Sequence, residues 1–234
     1  MNKNEFINAL KDLNITITPL QLEQLDIYYN LLIEENKKYN LTAITKKEDV
    51  YLKHFYDSLT LNKIITLSNQ YICDIGTGAG FPGIVLKIVF PDLKVTLLDS
   101  TEKKCKFLKL IISKLNLNNI DVINERAEIY SKTTREKYDI VTSRAVAPLK
   151  HLLEYSIPLV KVNGYYIAMK GDISKEMTGI DIYEKKLNIK EIKRLSFKLP
   201  KENSLRTLIK YQKLTKTNMK YPRKYTEIKK KEIN

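Results

Sequence analysis

Apolar residues change their spacing near Tyr71. Before that point they recur at helical intervals. In "TPLQLEQLDIYYNLLIEENKKYN", Leu20, Leu22, Leu25, Ile27, Tyr28, Leu31 and Leu32 fall on one broad stripe, which predicts a long helix. Thr18 is placed to cap it, with Pro19 in its first turn. A loop, "NLTAITKKED", and a second helical run, "VYLKHFYDSLTLNKII", complete an all-helical opening. In the latter, His54 and Asp57 stand three apart, a spacing that reads as a helix-surface pair, with a place facing the ligand pocket as the functional alternative for His54.

After Tyr71, short β-type runs alternate with helical ones. Strands are predicted at "YICDI", "KVTLLD", "NIDVIN", "YDIVTSRA" and "GYYIAMKG". Helices are predicted between them at "PGIVLKIVF", "STEKKCKFLKLIISKLNL", "RAEIYSK" and "PLKHLLEYSIPLV", with a last one over 173–187. "IKEIKRLSFKL" and "RTLIKYQKL" follow as two strands with no room for a helix between them, so they form a hairpin. Strict β/α alternation implies a parallel sheet with right-handed crossovers and helices on both faces. The fold class is therefore α/β, Rossmann-like, with about seven strands and an antiparallel hairpin at one edge. The predicted organisation is a helical segment over 1–70 packed on the core, the α/β domain over 71–215, and a basic tail over 216–234, ordered only when RNA is bound.

Charge sharpens this picture. The chain of 234 residues carries +14, and residues 185–234 hold 17 Lys or Arg against four acids, so nearly all of the excess lies in the last quarter. A basic region of this density favours polyanions through phosphate contacts and counterion release. Two cysteines, Cys73 and Cys105, and two histidines, His54 and His151, leave little scope for a disulfide framework or a metal site. Both cysteines read as core residues. The longest apolar run, 83–90, is interrupted by Lys87 and is far below the roughly 20 residues of a membrane span. The N-terminus "MNKNEFINALKDLN" lacks the apolar core of a leader. The expected location is the cytoplasm.

The stretch "DIGTGAGFPG", Asp74–Gly83, carries the chemistry. It follows the first strand, where open α/β sheets bind ligands. It contains G-x-G-x-x-G at Gly78, Gly80 and Gly83, a dinucleotide pattern, and D-x-G-x-G-x-G from Asp74 to Gly80, which suits S-adenosylmethionine. A carboxylate at Asp74 opposes a pyrophosphate and suits a cationic donor. Asp99 ends the second strand, 19 residues after Gly80, where its carboxylate can accept the hydroxyls of a ribose from either ligand. The edge hairpin and the helical preface favour the methyl donor. An NAD(P)-dependent oxidoreductase and a non-catalytic RNA-binding or assembly factor stand as alternatives.

"DIGTGAGFPGI", "LLDSTEKKCKFL", "RAE", "SRAVAPL" and "MKG", flanked by "NLTAIT", "HFYDSL" and "KYPRK", resemble the RsmG (GidB) family of bacterial small-subunit rRNA methyltransferases. The resemblance runs in order through essentially the whole chain. It implies a class I S-adenosylmethionine-dependent methyltransferase fold and methylation of nitrogen 7 of a guanine in the 530 loop of 16S rRNA. It assigns Gly76 and Phe81, with Asp74, Thr77, Gly78 and Gly80, to the cofactor loop, Asp99 to the ribose, and Ala127 and Glu128 to the adenine. Arg144 of "SRAVAPL" is implied beside cofactor and target base, orienting either one, while an ion pair with Asp139 or Glu128 is its structural alternative. Lys170 of "MKG" and Arg223 and Lys224 of "KYPRK" are candidate RNA contacts. The chain departs from the family pattern in having Asp at position 99, where Glu is frequent, and in lacking the Gly-Thr-Pro continuation after "YPRK". Guanine N7 has a lone pair and no proton, so direct in-line transfer needs no general base and catalysis is mostly positioning. No metal is expected, the partner is 16S rRNA or the small subunit that contains it, and the protein is expected to act as a monomer.

Overall fold

The computed structural model describes residues 1–233. The N-terminal segment holds α1 (Lys3–Lys11) and α2 (Pro19–Tyr39). A run of short turns follows: α3 (Lys47–Val50), a π-helical turn (Tyr51–Tyr56), α4 (Asp57–Leu59) and a 3-10 turn (Thr60–Lys63). α2 starts where its capping residues require. Thr18 Oγ1 accepts from the Gln21 N–H (3.2 Å) and the Gln21 side chain accepts from the Thr18 N–H (2.9 Å). Its buried stripe is Leu25, Tyr28 and Leu32, narrower than the sequence suggests, because Leu20 and Ile27 face outward.

The remainder alternates as β1 (Tyr71–Ile75), α5 (Gly83–Val89), β2 (Lys94–Asp99), α6 (Glu102–Lys114), β3 (Ile120–Asn124), α7 (Ala127–Thr133), β4 (Tyr138–Arg144), α8 (Leu149–Ser156), β5 (Val160–Lys170), α9 (Ile180–Leu187), β6 (Ile189–Lys198) and β7 (Leu205–Lys213). A last helix, α10 (Tyr225–Lys230), follows. The seven strands lie in the order β3-β2-β1-β4-β5-β7-β6. The first five are parallel, and β7 runs antiparallel to both β5 and β6. The chain switches sides of the sheet between β1 and β4, so their carboxyl ends open a crevice.

Alternate strand residues feed two separate cores. Ile72, Leu97, Ile140 and Ile167 join the face packed by the N-terminal segment, α5 and α6. Cys73, Leu98, Val141 and Ala168 join the face covered by α8 and α9. Gln21 couples the N-terminal segment to the first face by donating to the carbonyls of Ile88 and Val89 (3.0 Å each). Both cysteines are buried. No helix among the described residues is long and apolar enough to cross a membrane.

Three boundaries differ from the sequence reading. β5 begins at Val160, earlier than the pattern indicates. α9 begins at Ile180 rather than 173, because Asp172 caps the Ser174 N–H in a turn (2.8 Å) and Gly179 takes φ +74 immediately before the helix. The third difference concerns the C-terminus. The stretch read as a tail ordered only on RNA forms α10 and packs, with Ile228 and Ile233 buried in the second core. Arg223 clamps it, donating from Nε and Nη2 to the two oxygens of the fully buried Glu154 (2.8 Å each). Two isoleucines among lysines are enough to anchor the segment; the lysine density hid them.

Candidate active site

The loop after β1 is shaped by glycines. Gly76 (φ +64) lies so close to the loop after β4 that a Cβ on it would meet the γ-carbons of Val146 at 2.7 Å. A Cβ on Gly78 (φ +61) would meet nothing closer than 3.9 Å, so its backbone borders open space. Gly80 has a different task. It packs inward against Ile84 and the Tyr28 hydroxyl and does not line a cleft.

Asp74 also turns inward. It is fully buried, and one oxygen accepts from Thr77 Oγ1 (2.6 Å) and from the Gly83 N–H (2.8 Å). Its other oxygen, Oδ1, has no partner. Burial is the main cause that pushes its carboxyl up to about 7, against the lowering effect of those two bonds. The expectation that Asp74 faces the donor's charge is therefore corrected. It caps the first N–H of α5, occupying the position that a dinucleotide's pyrophosphate takes at a helix N-terminus. It disfavours that ligand by filling the anion site.

Two clefts flank the loop. The larger, about 710 Å³, is bordered by Gly76, Asp99, Ala127, Glu128, Arg144 and Tyr155. Asp99 is held rigidly: Oδ2 accepts from the Gly78 N–H and Oδ1 from the Thr101 N–H (2.9 Å each). Glu128 Oε1 accepts from Arg126 Nε (2.5 Å). The second cleft, about 420 Å³, is bordered by Thr77, Gly78, Phe81, His54, Lys170 and Arg206. Gly76, Arg144 and Ala145 border both.

Arg144 stands at this junction. Its Nη1 donates to the Lys53 carbonyl (2.8 Å) and to Asp57 Oδ2 (3.0 Å), and Nη2 lies 3.2 Å from His54 Nδ1. Its ion-pair partner is thus Asp57, from the N-terminal segment, rather than Asp139 or Glu128. The other Asp57 oxygen accepts from Arg206 Nε (3.0 Å), so one buried carboxylate joins two guanidinium groups. His54 is not the surface residue its spacing suggests. It is buried, stacks on Phe81 at 4.3 Å between centroids, and places Nε2 2.9 Å from Thr42 Oγ1. Burial first and the Arg144 charge second push its pKa down to about 3, so the ring is neutral at pH 7. Phe81 is further stacked on Tyr28 (5.4 Å), whose hydroxyl donates to the Ala79 carbonyl.

Asp57, Arg206, Lys53, Tyr28 and Thr42 are absent from the sequence-based site. The helical spacing of His54 and Asp57 is the one available signal for this group; it favours a surface pair and leaves the pocket as the alternative for His54, which is where the structure puts it. Lys170, a candidate RNA contact, is nearly buried and donates to the Ala147 carbonyl (2.8 Å) and Glu176 (2.9 Å). Arg223, another, is held on Glu154. Lys224 is exposed.

Residues 21–210 match the family described as GidB, rRNA small subunit methyltransferase G. A relative from Bacillus cereus, a ribosomal RNA small subunit methyltransferase G, is 47% identical over 228 residues, spanning 96% of this chain and 95% of the relative. The chain belongs to this family. It is an S-adenosylmethionine-dependent methyltransferase. Solved structures agree on the fold: a SAM-dependent methyltransferase from Aquifex aeolicus (TM-score 0.52, 15% identity, 76% of this chain and 97% of that one) and M. jannaschii TYW2 in complex with AdoMet (TM-score 0.54, 17% identity, 68% and 77%). The donor cleft fits the cofactor. That is the larger of the two: Gly76 brings backbone without a side chain to its border, and Asp99 is fixed there with lone pairs left for a ribose diol.

Proposed function

We propose that the protein methylates nitrogen 7 of a guanine in the 530 loop of 16S rRNA by direct in-line transfer. One observation carries the choice of N7: neither the carboxylate nor the imidazole bordering the second cleft is free to act as a base, and both of its lysines are ion-paired. Asp57 is engaged by two guanidinium groups, and both nitrogens of the neutral His54 face partners. An exocyclic amine asks the enzyme to remove a proton, whereas N7 has none. When bound, S-adenosylmethionine supplies the methyl group on a sulfonium.

The chain's own residues position the reactants. Gly76 separates the clefts and Thr77, Gly78 and Phe81 continue it along the second, Asp99 takes the ribose, and Ala127 and Glu128 border the adenine. Arg144 uses three of its five donors internally, which fixes its plane and leaves the others for the target. A fork on O6 and N7 together would mask the lone pair that must react, so these donors suit O6 or a phosphate. Lys224 is exposed and free to meet phosphate; Lys170 and Arg223 act through the segments they hold. An rRNA substrate places the protein in the cytoplasm.

The test is transfer of labelled methyl from S-adenosylmethionine to small subunits that lack the modification, followed by digestion to nucleosides. The expected product is 7-methylguanosine. Label in an exocyclic or pyrimidine position, with folded protein that binds S-adenosylhomocysteine, contradicts the proposal.

A further inference from the structure

The segment after β7 does more than complete the second core. Tyr225 and Lys229 of α10 border the donor cleft, on the same side as Ala127, Glu128 and Tyr155. The Tyr225 ring lies 4.2 Å from the Arg126 guanidinium carbon, and Arg126 is itself oriented by its bond to Glu128. We propose that α10 is a working wall of the donor cleft and that the Tyr225 ring, backed by Arg126, is the aromatic surface against which the purine of the methyl donor packs.

The argument rests on how firmly this short helix is held. Arg223, immediately before it, grips Glu154 on α8 and also donates to the carbonyls of Lys231 (3.0 Å) and Glu232 (3.3 Å) beyond it. Lys150 of α8 pairs with Glu232, and the Ile233 N–H donates to the Tyr183 hydroxyl (3.3 Å). Ile228 faces the core. α10 is thus fixed at both ends, and Tyr225 is presented to the cleft at a defined place. The inference rests on the proposed placement of the adenine at Ala127 and Glu128: Arg126 directly precedes them, which puts the ring at the purine end rather than at the reacting end. Lys229 Nζ is 4.9 Å from the same ring, on an exposed side chain. A flat ring held by a neighbouring cation is a suitable face for a purine, which binds it through stacking rather than through specific hydrogen bonds.

The inference concerns the donor alone and is independent of which rRNA atom is methylated. S-adenosylhomocysteine is the probe, titrated calorimetrically into the full chain without RNA. Tyr225→Ala and Tyr225→Leu are expected to weaken its binding by about tenfold, the scale of one lost aromatic stack. Tyr225→Phe should bind within twofold of the parent. Unliganded thermal midpoints are measured alongside, and the comparison uses variants whose midpoints match the parent; Leu keeps most of the buried area and guards against a folding loss in Ala. Binding within twofold in both Ala and Leu overturns the proposal. Equal weakening in Phe, Leu and Ala overturns it as well, because the ring face is then irrelevant.

Discussion

At Gly76, Asp74 and His54 the physical demands are local enough to be tested one side chain at a time. Gly76→Ala forces a β-carbon to 2.7 Å from Val146 at a left-handed φ. A loss of about 1–3 kcal/mol in stability is expected, with weaker S-adenosylhomocysteine binding, measured by denaturant titration and calorimetry. His54 and Asp74 pull the pH dependence in opposite directions. The His54 pKa is near 3 in the fold and about 6.5 unfolded, so in that window the unfolded chain binds more protons. Its stabilisation is complete above about pH 6.5 and is lost as pH falls toward 3. His54→Gln should therefore lose about 2–3 kcal/mol less than the parent between pH 7 and 4.5, read from denaturation at the two values. Asp74 is near 7 folded against 3.8 unfolded, so its contribution is complete below 3.8 and lost as pH rises through 7. Asp74→Asn should compare more favourably with the parent at pH 8 than at pH 5. The sequence singled out the loop, but not which way Asp74 and Gly80 turn. Direction depends on contacts with Gly83, Tyr28 and Ile84 that no single-residue pattern contains.

The elements explain why half of the site was legible and half was not. Asp99, at the end of β2, could be placed from alternation and spacing alone. Asp57 could not, because its partner Arg144 is 87 residues away and Arg206 is 149 away. The joint is made by the π-helical turn Tyr51–Tyr56, which presents the Lys53 carbonyl and His54 to the end of β4 while α4 presents Asp57. The N-terminal segment is thus a component of the second cleft. Asp57→Asn leaves two guanidinium groups without a buried counter-charge and should cost about 3–5 kcal/mol in stability. If the joint positions Arg144 for the target, the same variant should retain S-adenosylhomocysteine binding within a few-fold while kcat/KM for small subunits falls at least about tenfold, a split that a general loss of fold does not give.

For the molecule as a whole, strand alternation and the final hairpin sufficed to deduce a seven-stranded sheet with a reversed strand. The charge was legible only as a total. Of the 17 cations over 185–234, Arg194, Lys201, Arg206, Lys213 and Arg223 are tied up in internal ion pairs. The footprint for RNA is therefore smaller than the sequence count. If about five of the others reach phosphates, the affinity for 16S rRNA should fall with salt at a log–log slope of about −4, and the combined Lys229, Lys230 and Lys231→Ala variant should flatten it by about 2. The slope is read from filter binding across a salt series.

The central claim, a methyl group on one guanine N7 of the 530 loop, is tested most directly in small-subunit rRNA from cells deleted for this chain. Reductive cleavage at 7-methylguanosine, mapped by primer extension, should show a single stop in that loop in the parent. The stop should vanish on deletion and return when the chain is supplied, but not with its Asp99→Ala variant. A stop that persists in deleted cells contradicts the account.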